Sequence, residues 1–155
     1  ETGKELERQY IQGMRTTPVE AGFTPDYFAS LIAELISGPK RSVKSLLTQD
    51  QLLPGIGNGM AQDILFKAGL HPRHPLELLD VPQQDALYAA ILDVVQQAID
   101  LGGRSEEVDL FNRPGGYQRI MDSRAVGKPC PHCGYMVEKM QYLGGASYFC
   151  PACQV

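Results

Sequence analysis

Apolar residues return every three to four positions through the first hundred residues of the chain, the period of helices packed on a shared core. Phe28, Leu31, Ile32, Leu35 and Ile36 fall on one face of a helix predicted over 25–37, with Thr24 as its N-cap and Gly38-Pro39 as its stop. A short helix is predicted over 42–48. The turn Leu53-Pro54-Gly55-Ile56-Gly57-Asn58 follows, then a helix to about 67 with Met60, Ile64, Leu65 and Ala68 on one side. A loop over 69–75 carries two prolines. The longest helix is predicted over 82–100, where Leu87, Ile91, Val94, Val95, Ala98 and Ile99 form an apolar stripe ended by Gly102-Gly103. From there to Pro129 the chain is rich in Gly, Pro and charge and reads as ordered loop. After Cys130 the period shortens to that of strands, and 136–142 and 147–149 can pair as a hairpin around Gly144-Gly145.

The chain has 155 residues, 43% of them hydrophobic, which suits a helical domain with a small appendage. No run approaches the roughly 18 apolar residues of a membrane span and no signal peptide opens the chain, so a soluble intracellular protein is expected. Glu1 is not an initiator methionine; Glu1-Thr2-Gly3 fits an expression remnant or an internal start, with sequence missing upstream. The formal charge of −4 argues mildly against nucleic acid. Charge is uneven, however. Lys40, Arg41 and Lys44 cluster, and Arg113, Arg119, Arg124, Lys128 and Lys139 outnumber the nearby acids, while Glu77, Asp80, Asp85 and Asp93 read as solvated helix faces.

The strongest chemical signal is the set of four cysteines. Cys130-Pro-His-Cys133 and Cys150-Pro-Ala-Cys153 are separated by sixteen residues, within the range for four-thiolate zinc sites. A Cys-x-x-Cys turn presents two sulfurs to one ion, and two such turns close a tetrahedron, leaving no position for catalytic water. Two disulfides or a redox motif are the rivals; nothing indicates secretion, and a redox motif has no use for a duplicate. The expectation is one structural Zn2+ on Cys130, Cys133, Cys150 and Cys153, with His132 a bystander. A two-strand hairpin has almost no core, so the metal is expected to supply its folding energy while the helices stand without it.

The second signal is Gly55-Ile56-Gly57-Asn58 immediately before a helix. Glycines allow a tight turn, and the helix start offers free N–H groups to an anion, usually phosphate. Asn58 then either caps the helix or donates its own amide to the phosphate. A plain structural turn is the alternative.

These pieces together resemble the formamidopyrimidine-DNA glycosylase and endonuclease VIII family. Val43-Lys44-Ser45-Leu46-Leu47, the run from Leu53 to Phe66, and Ala68-Gly69-Leu70-His71-Pro72 look like its helix–two-turn–helix. The hairpin ending in Cys150-Pro151-Ala152-Cys153-Gln154 is similar to its zinc finger, and Gly115-Gly116-Tyr117-Gln118 sits where the family has a comparable segment. The resemblance implies a mainly α fold, a helix–two-turn–helix bundle with a C-terminal four-cysteine zinc β-hairpin. It divides the chain into a tail over 1–16 (the end of a missing domain), a DNA-binding domain over 17–124 and a zinc hairpin over 125–155. It also implies base excision repair: the DNA-gripping half of a glycosylase and AP lyase, acting on damaged duplex DNA. In the family the nucleophile is the amine of an N-terminal proline followed by glutamate, on a β-sandwich that has no counterpart here, so this chain alone is expected to bind and not to excise.

By that resemblance Asn58 matches a phosphate-binding asparagine, Gly57 belongs to the same turn, Lys44 matches a lysine near the DNA, and Arg124 stands roughly where the family has an arginine. Packing at the finger–helix junction is the other reading of Arg124; His71 is expected to shape a turn, and Tyr117 to be packed. Family members commonly place an arginine five residues before the third zinc cysteine to hold phosphate; that position is Gly145 here. The rival functions are a non-catalytic nucleic-acid-binding module and a zinc-stabilised protein-interaction domain.

Overall fold

The computed structural model describes residues 16–100 and 118–155. Helix α1, Pro25–Ile36, starts where a proline with preset φ follows a capping threonine: Thr24 Oγ1 accepts the Tyr27 N–H at 3.1 Å. Phe28, Leu31, Ile32 and Leu35 face inward. Helix α2, Val43–Thr48, is capped by Ser42, whose Oγ accepts the Ser45 N–H at 3.2 Å. Helix α3, Asn58–Ala68, ends at Gly69, which takes φ +72° and returns its N–H to the carbonyls of Leu65 and Phe66. A single 3-10 turn, Leu76–Leu78, leads to helix α4, Val81–Asp100. Asp80 and Gln83 exchange side-chain and backbone hydrogen bonds at 2.8 and 3.0 Å, a reciprocal cap that starts α4 one residue earlier than expected.

The helices share one core. α3 packs most extensively on α4, and Leu46, Ile64, Leu65, Leu70, Leu87, Ile91 and Val94 are fully buried in it. An aromatic cluster of Phe23, Tyr27, Phe28 and Tyr88 closes one end, with the Tyr88 hydroxyl donating to the Phe23 carbonyl at 2.8 Å. One position of the expected α4 stripe is corrected. Ile99 is 53% exposed, because Ala98 takes the inward position of the last turn.

Strands β1, Glu138–Tyr142, and β2, Gly145–Phe149, pair antiparallel from Glu138↔Phe149 to Tyr142↔Gly145. Leu143 and Gly144 turn the hairpin with φ +55° and +77°, as a two-residue loop matched to strand twist requires. The turn therefore sits one residue before the expected Gly144-Gly145, and Gly145 opens β2. The hairpin lies along α3. Met121, Cys130, Val137 and Cys150 form a second small core to which α3 contributes Phe66. Gly102-Gly103 and Gly115-Gly116-Tyr117 lie outside the described residues. No described helix is long and apolar enough to cross a membrane.

Burial separates two isoleucines that the pattern treats alike. Ile64→Ala is expected to cost about 2–5 kcal/mol of stability, the range for truncating a packed core residue. Ile99→Ala should stay within roughly 0.5 kcal/mol. Urea unfolding of both variants checks the contrast; equal losses would place Ile99 back in the core.

Candidate metal centre and nucleic-acid interface

The four cysteine sulfurs come from two tight turns. In the first, Gly134, at φ +81°, returns its N–H to the Cys130 carbonyl at 2.8 Å; in the second, the Gln154 N–H reaches the Cys150 carbonyl at 3.0 Å. All four ligand atoms lie within 4.8 Å of one another, with Cys130–Cys153 at 3.9 Å and Cys133–Cys150 at 3.4 Å. Sulfurs tetrahedrally placed about 2.3 Å from one ion stand about 3.8 Å apart, so the spacing fits. A disulfide needs about 2.05 Å, and all four thiols are unpaired. Backbone N–H groups of His132 and Cys153 each lie 3.4 Å from a sulfur, of Cys130 and Cys150 respectively. The Tyr135 N–H and the neighbouring thiols pull Cys133 down to about 7. Burial pushes the Cys150 thiol up, and the Cys133 thiol together with burial pushes Cys153 up, so Cys133 is the thiol of the group that most readily gives the thiolate, the form that binds metal. His132 lies beside this group, its Nδ1 3.4 Å from the Cys153 sulfur.

At the start of α3 the two readings of Asn58 separate. Gly57 is the N-cap and makes no side-chain cap bond; Asn58 is the first helical residue. Its Nδ2 instead donates to the Ala146 carbonyl on the hairpin at 3.1 Å. Asn58, Thr48, Gln49, Leu143, Gly144 and Gly145 line an open groove of about 420 Å³ between the two-turn segment and the hairpin tip. A second hollow of about 260 Å³ runs under the turn, along Gln51, Gly55, Ile56 and Gly57. The N–H groups of the first α3 turn have no carbonyl one turn earlier to meet, so this rim is rich in donors. Asp50, Gln51 and Leu143 all hold left-handed backbone around these hollows, at φ +57°, +52° and +55°.

Lys44 stands on α2 but does not project to solvent. It is 1% exposed, and its ammonium donates to the Tyr142 carbonyl at 2.7 Å and to Ser147 Oγ at 2.9 Å. Burial lowers its pKa. The charge therefore lies beneath the residue that precedes the groove lining. Arg124 pairs through Nε and Nη2 with Asp122, its side chain 62% exposed. Burial works against the charge on Asp122, but the Arg124 hydrogen bonds and the charges of Arg124 and Arg119 outweigh it and hold the carboxyl below its usual range. His71 shapes its turn by accepting the Arg73 N–H on Nδ1 at 3.0 Å, and packs edge-on against Phe149. A Cβ on Gly145 would lie 3.3 Å from Asn58 Nδ2, close enough that the Asn58 carboxamide would have to give by a few tenths of an ångström.

Several joining residues escaped the sequence pattern. Gln62 and Asp63 are buried on the inner side of α3. Asp63 accepts the Ile120 and Met121 N–H groups at 2.8–3.0 Å, and Gln62 bonds Ala146 and Tyr148 of β2. Gln154 Nε2 reaches the Leu70 carbonyl at 2.9 Å. Two polar residues directly between apolar Ala61 and Ile64 were the available signal.

Comparison with known proteins agrees with this arrangement. Residues 15–109 match the family model described as the formamidopyrimidine-DNA glycosylase H2TH domain. The chain is 37% identical over 135 residues to the formamidopyrimidine-DNA glycosylase of Chloroflexus aggregans, covering 85% of this chain and 49% of that protein. Among solved structures it is similar to the MutM (Fpg) protein of Thermus thermophilus, with a TM-score of 0.81 and 30% identity over 96% of this chain and 56% of that one. It shares its fold with the Lactococcus lactis Fpg solved with abasic-site DNA, at a TM-score of 0.76 and 24% identity over 99% of this chain and 56% of that one. The chain spans about half the length of the curated relatives it matches. Helix pair, two-turn segment and four-cysteine hairpin thus correspond to the C-terminal part of those proteins, and the chain belongs to the formamidopyrimidine-DNA glycosylase family through its H2TH domain.

Proposed function

We propose that this chain grips damaged duplex DNA through its phosphates, as the DNA-binding half of a base-excision-repair glycosylase and AP lyase. The observation that carries this reading is the groove between Asn58 and the hairpin tip, where a helix N-terminus and a two-turn segment face the same opening. Backbone N–H groups of the turn at Gly57 and the Asn58 carboxamide are the phosphate ligands, and the positive end of α3 favours the anion. The buried Lys44 ammonium adds charge from below, where low dielectric preserves its field. Arg124, exposed on the segment leading to the hairpin, offers the face of its guanidinium not taken by Asp122. A grip built largely on amide donors asks for little formal positive charge, which accords with a chain of net −4. That the L. lactis protein was solved with abasic-site DNA supports damaged duplex as the partner.

The four-cysteine cluster is proposed to hold one Zn2+, closed by four thiolates and so structural. The metal ties 130–134 to 150–154 and thereby sets the hairpin against α3. Metal analysis is expected to find one zinc per chain. Removing it with a chelator should erase the NMR signals of 118–155 and shift those of the facing side of α3, while the helical circular dichroism of α1 and α4 persists. Duplex affinity should fall with the same chelator titration. A metal-free protein with its cysteines paired as disulfides would overturn the assignment.

Replacing Asn58 with alanine is expected to weaken duplex binding by about 1 kcal/mol, the size of one net hydrogen bond. The loss should be nearly equal for duplexes of different sequence, since phosphate contacts position without specifying. Affinity should decline with rising salt at a modest slope. Titrations with folded Asn58→Ala protein check this, and unchanged affinity would return the turn to a glycine corner joining two helices.

A further inference from the structure

Of the polar side chains buried along the seam between α3 and the hairpin, Gln62 has no part in the grip described above. It follows Asn58 by four residues and shares its face of α3. Its carboxamide meets β2 as a peptide group of a neighbouring strand would. Nε2 donates to the Ala146 carbonyl, and Oε1 accepts the Tyr148 N–H at 3.2 Å. In an extended strand the carbonyl of one residue and the N–H two residues on point to the same side, so one primary amide satisfies both. Gln62 is 1% exposed, and its bonds fix where the Ala146 carbonyl points.

That carbonyl is also the acceptor for Asn58 Nδ2, at 3.1 Å. A carbonyl oxygen has two lone pairs and can serve both amides. The bond orients the Asn58 carboxamide, with one of its two N–H groups on Ala146 and the other left for an anion. The reversed orientation would set Oδ1 against the Ala146 carbonyl, acceptor against acceptor. Gly145 is what allows the close seat, since a Cβ there would lie 3.3–3.4 Å from three atoms of the Asn58 carboxamide.

We propose that Gln62 is a positioning residue for the phosphate site: it holds the Ala146 carbonyl, and the carbonyl holds Asn58 with an N–H presented to a phosphate oxygen. The inference rests on the reading of Asn58 as a phosphate ligand. It makes the hairpin part of the helix–two-turn–helix grip, acting through one backbone oxygen.

Gln62→Met keeps the length of the side chain and removes both hydrogen-bonding atoms. Duplex affinity is measured for Gln62→Met, Asn58→Ala and the double variant, with zinc content and thermal unfolding recorded for each. Zinc-loaded, folded Gln62→Met is expected to bind about five-fold more weakly, and the double variant no more weakly than Asn58→Ala alone. Additive losses, or full affinity in Gln62→Met beside a weakened Asn58→Ala, overturn the inference and leave the phosphate reading standing. Full affinity in Asn58→Ala removes the phosphate reading itself. Should Gln62→Met fail to fold, NMR of the unaltered protein decides. On adding duplex, the Asn58 Nδ2 proton bonded to Ala146 should keep its shift while its geminal partner moves; equal movement of both overturns the inference.

Discussion

Two five-residue strands bury too little apolar surface to hold themselves together, and that limit organises the described C-terminal segment, 118–155. Their order comes from outside: four sulfurs gathered within 4.8 Å on one side, and the polar side chains of α2 and α3 on the other. Lys44, Asn58 and Gln62 all end on backbone or hydroxyl groups of the hairpin. For Lys44 and Gln62, burial is tolerable only because an acceptor waits for each. The hairpin in turn needs those donors, because β2 would otherwise present an open edge. The cluster and the seam therefore act on the same hairpin from two sides, and the groove lies at its tip.

Strain gathers at the same place. Asp50, Gln51 and Leu143 take left-handed backbone without being glycine, at a cost of order 1 kcal/mol each. They come from two segments far apart in sequence, yet Leu143 lines the groove and Gln51 the hollow beside it. Unfavourable conformations persist where the surroundings over-determine them. Here the surroundings are the α2 and α3 ends on one side and the paired strands on the other.

Charge is placed under the same constraint. Gly145 is the position that the resemblance matches to a family arginine, and the buried cation of α2, Lys44, lies under the hairpin and not on its surface. Glycine at 145 brings the hairpin backbone against Asn58, which an arginine Cβ would hinder. Where a forked cation would stand on the hairpin, a tightly seated carbonyl orients an amide on the helix instead.

Much of this protein was legible in the order of its residues. Helix faces follow from the 3.6-residue period because each helix buries one stripe, Thr24 announces a cap by local hydrogen bonding, and two Cys-x-x-Cys turns carry their own ligand geometry. These are short-range effects, settled within a turn or two of the chain. Long-range partners were not legible. Lys44 reads as a surface cation until Tyr142 and Ser147, about a hundred positions later, take its ammonium. Gln62 is marked in the sequence only as a polar residue beside apolar Ala61, and Asn58 reads as a cap or a phosphate donor; neither reading points to Ala146, whose carbonyl takes both amides. Ile99 matches the stripe of α4 and still faces outward, because the core has ended before the helix does. A polar side chain is placed by whichever partner satisfies it, and when that partner comes from another element, only the packing of the whole chain decides.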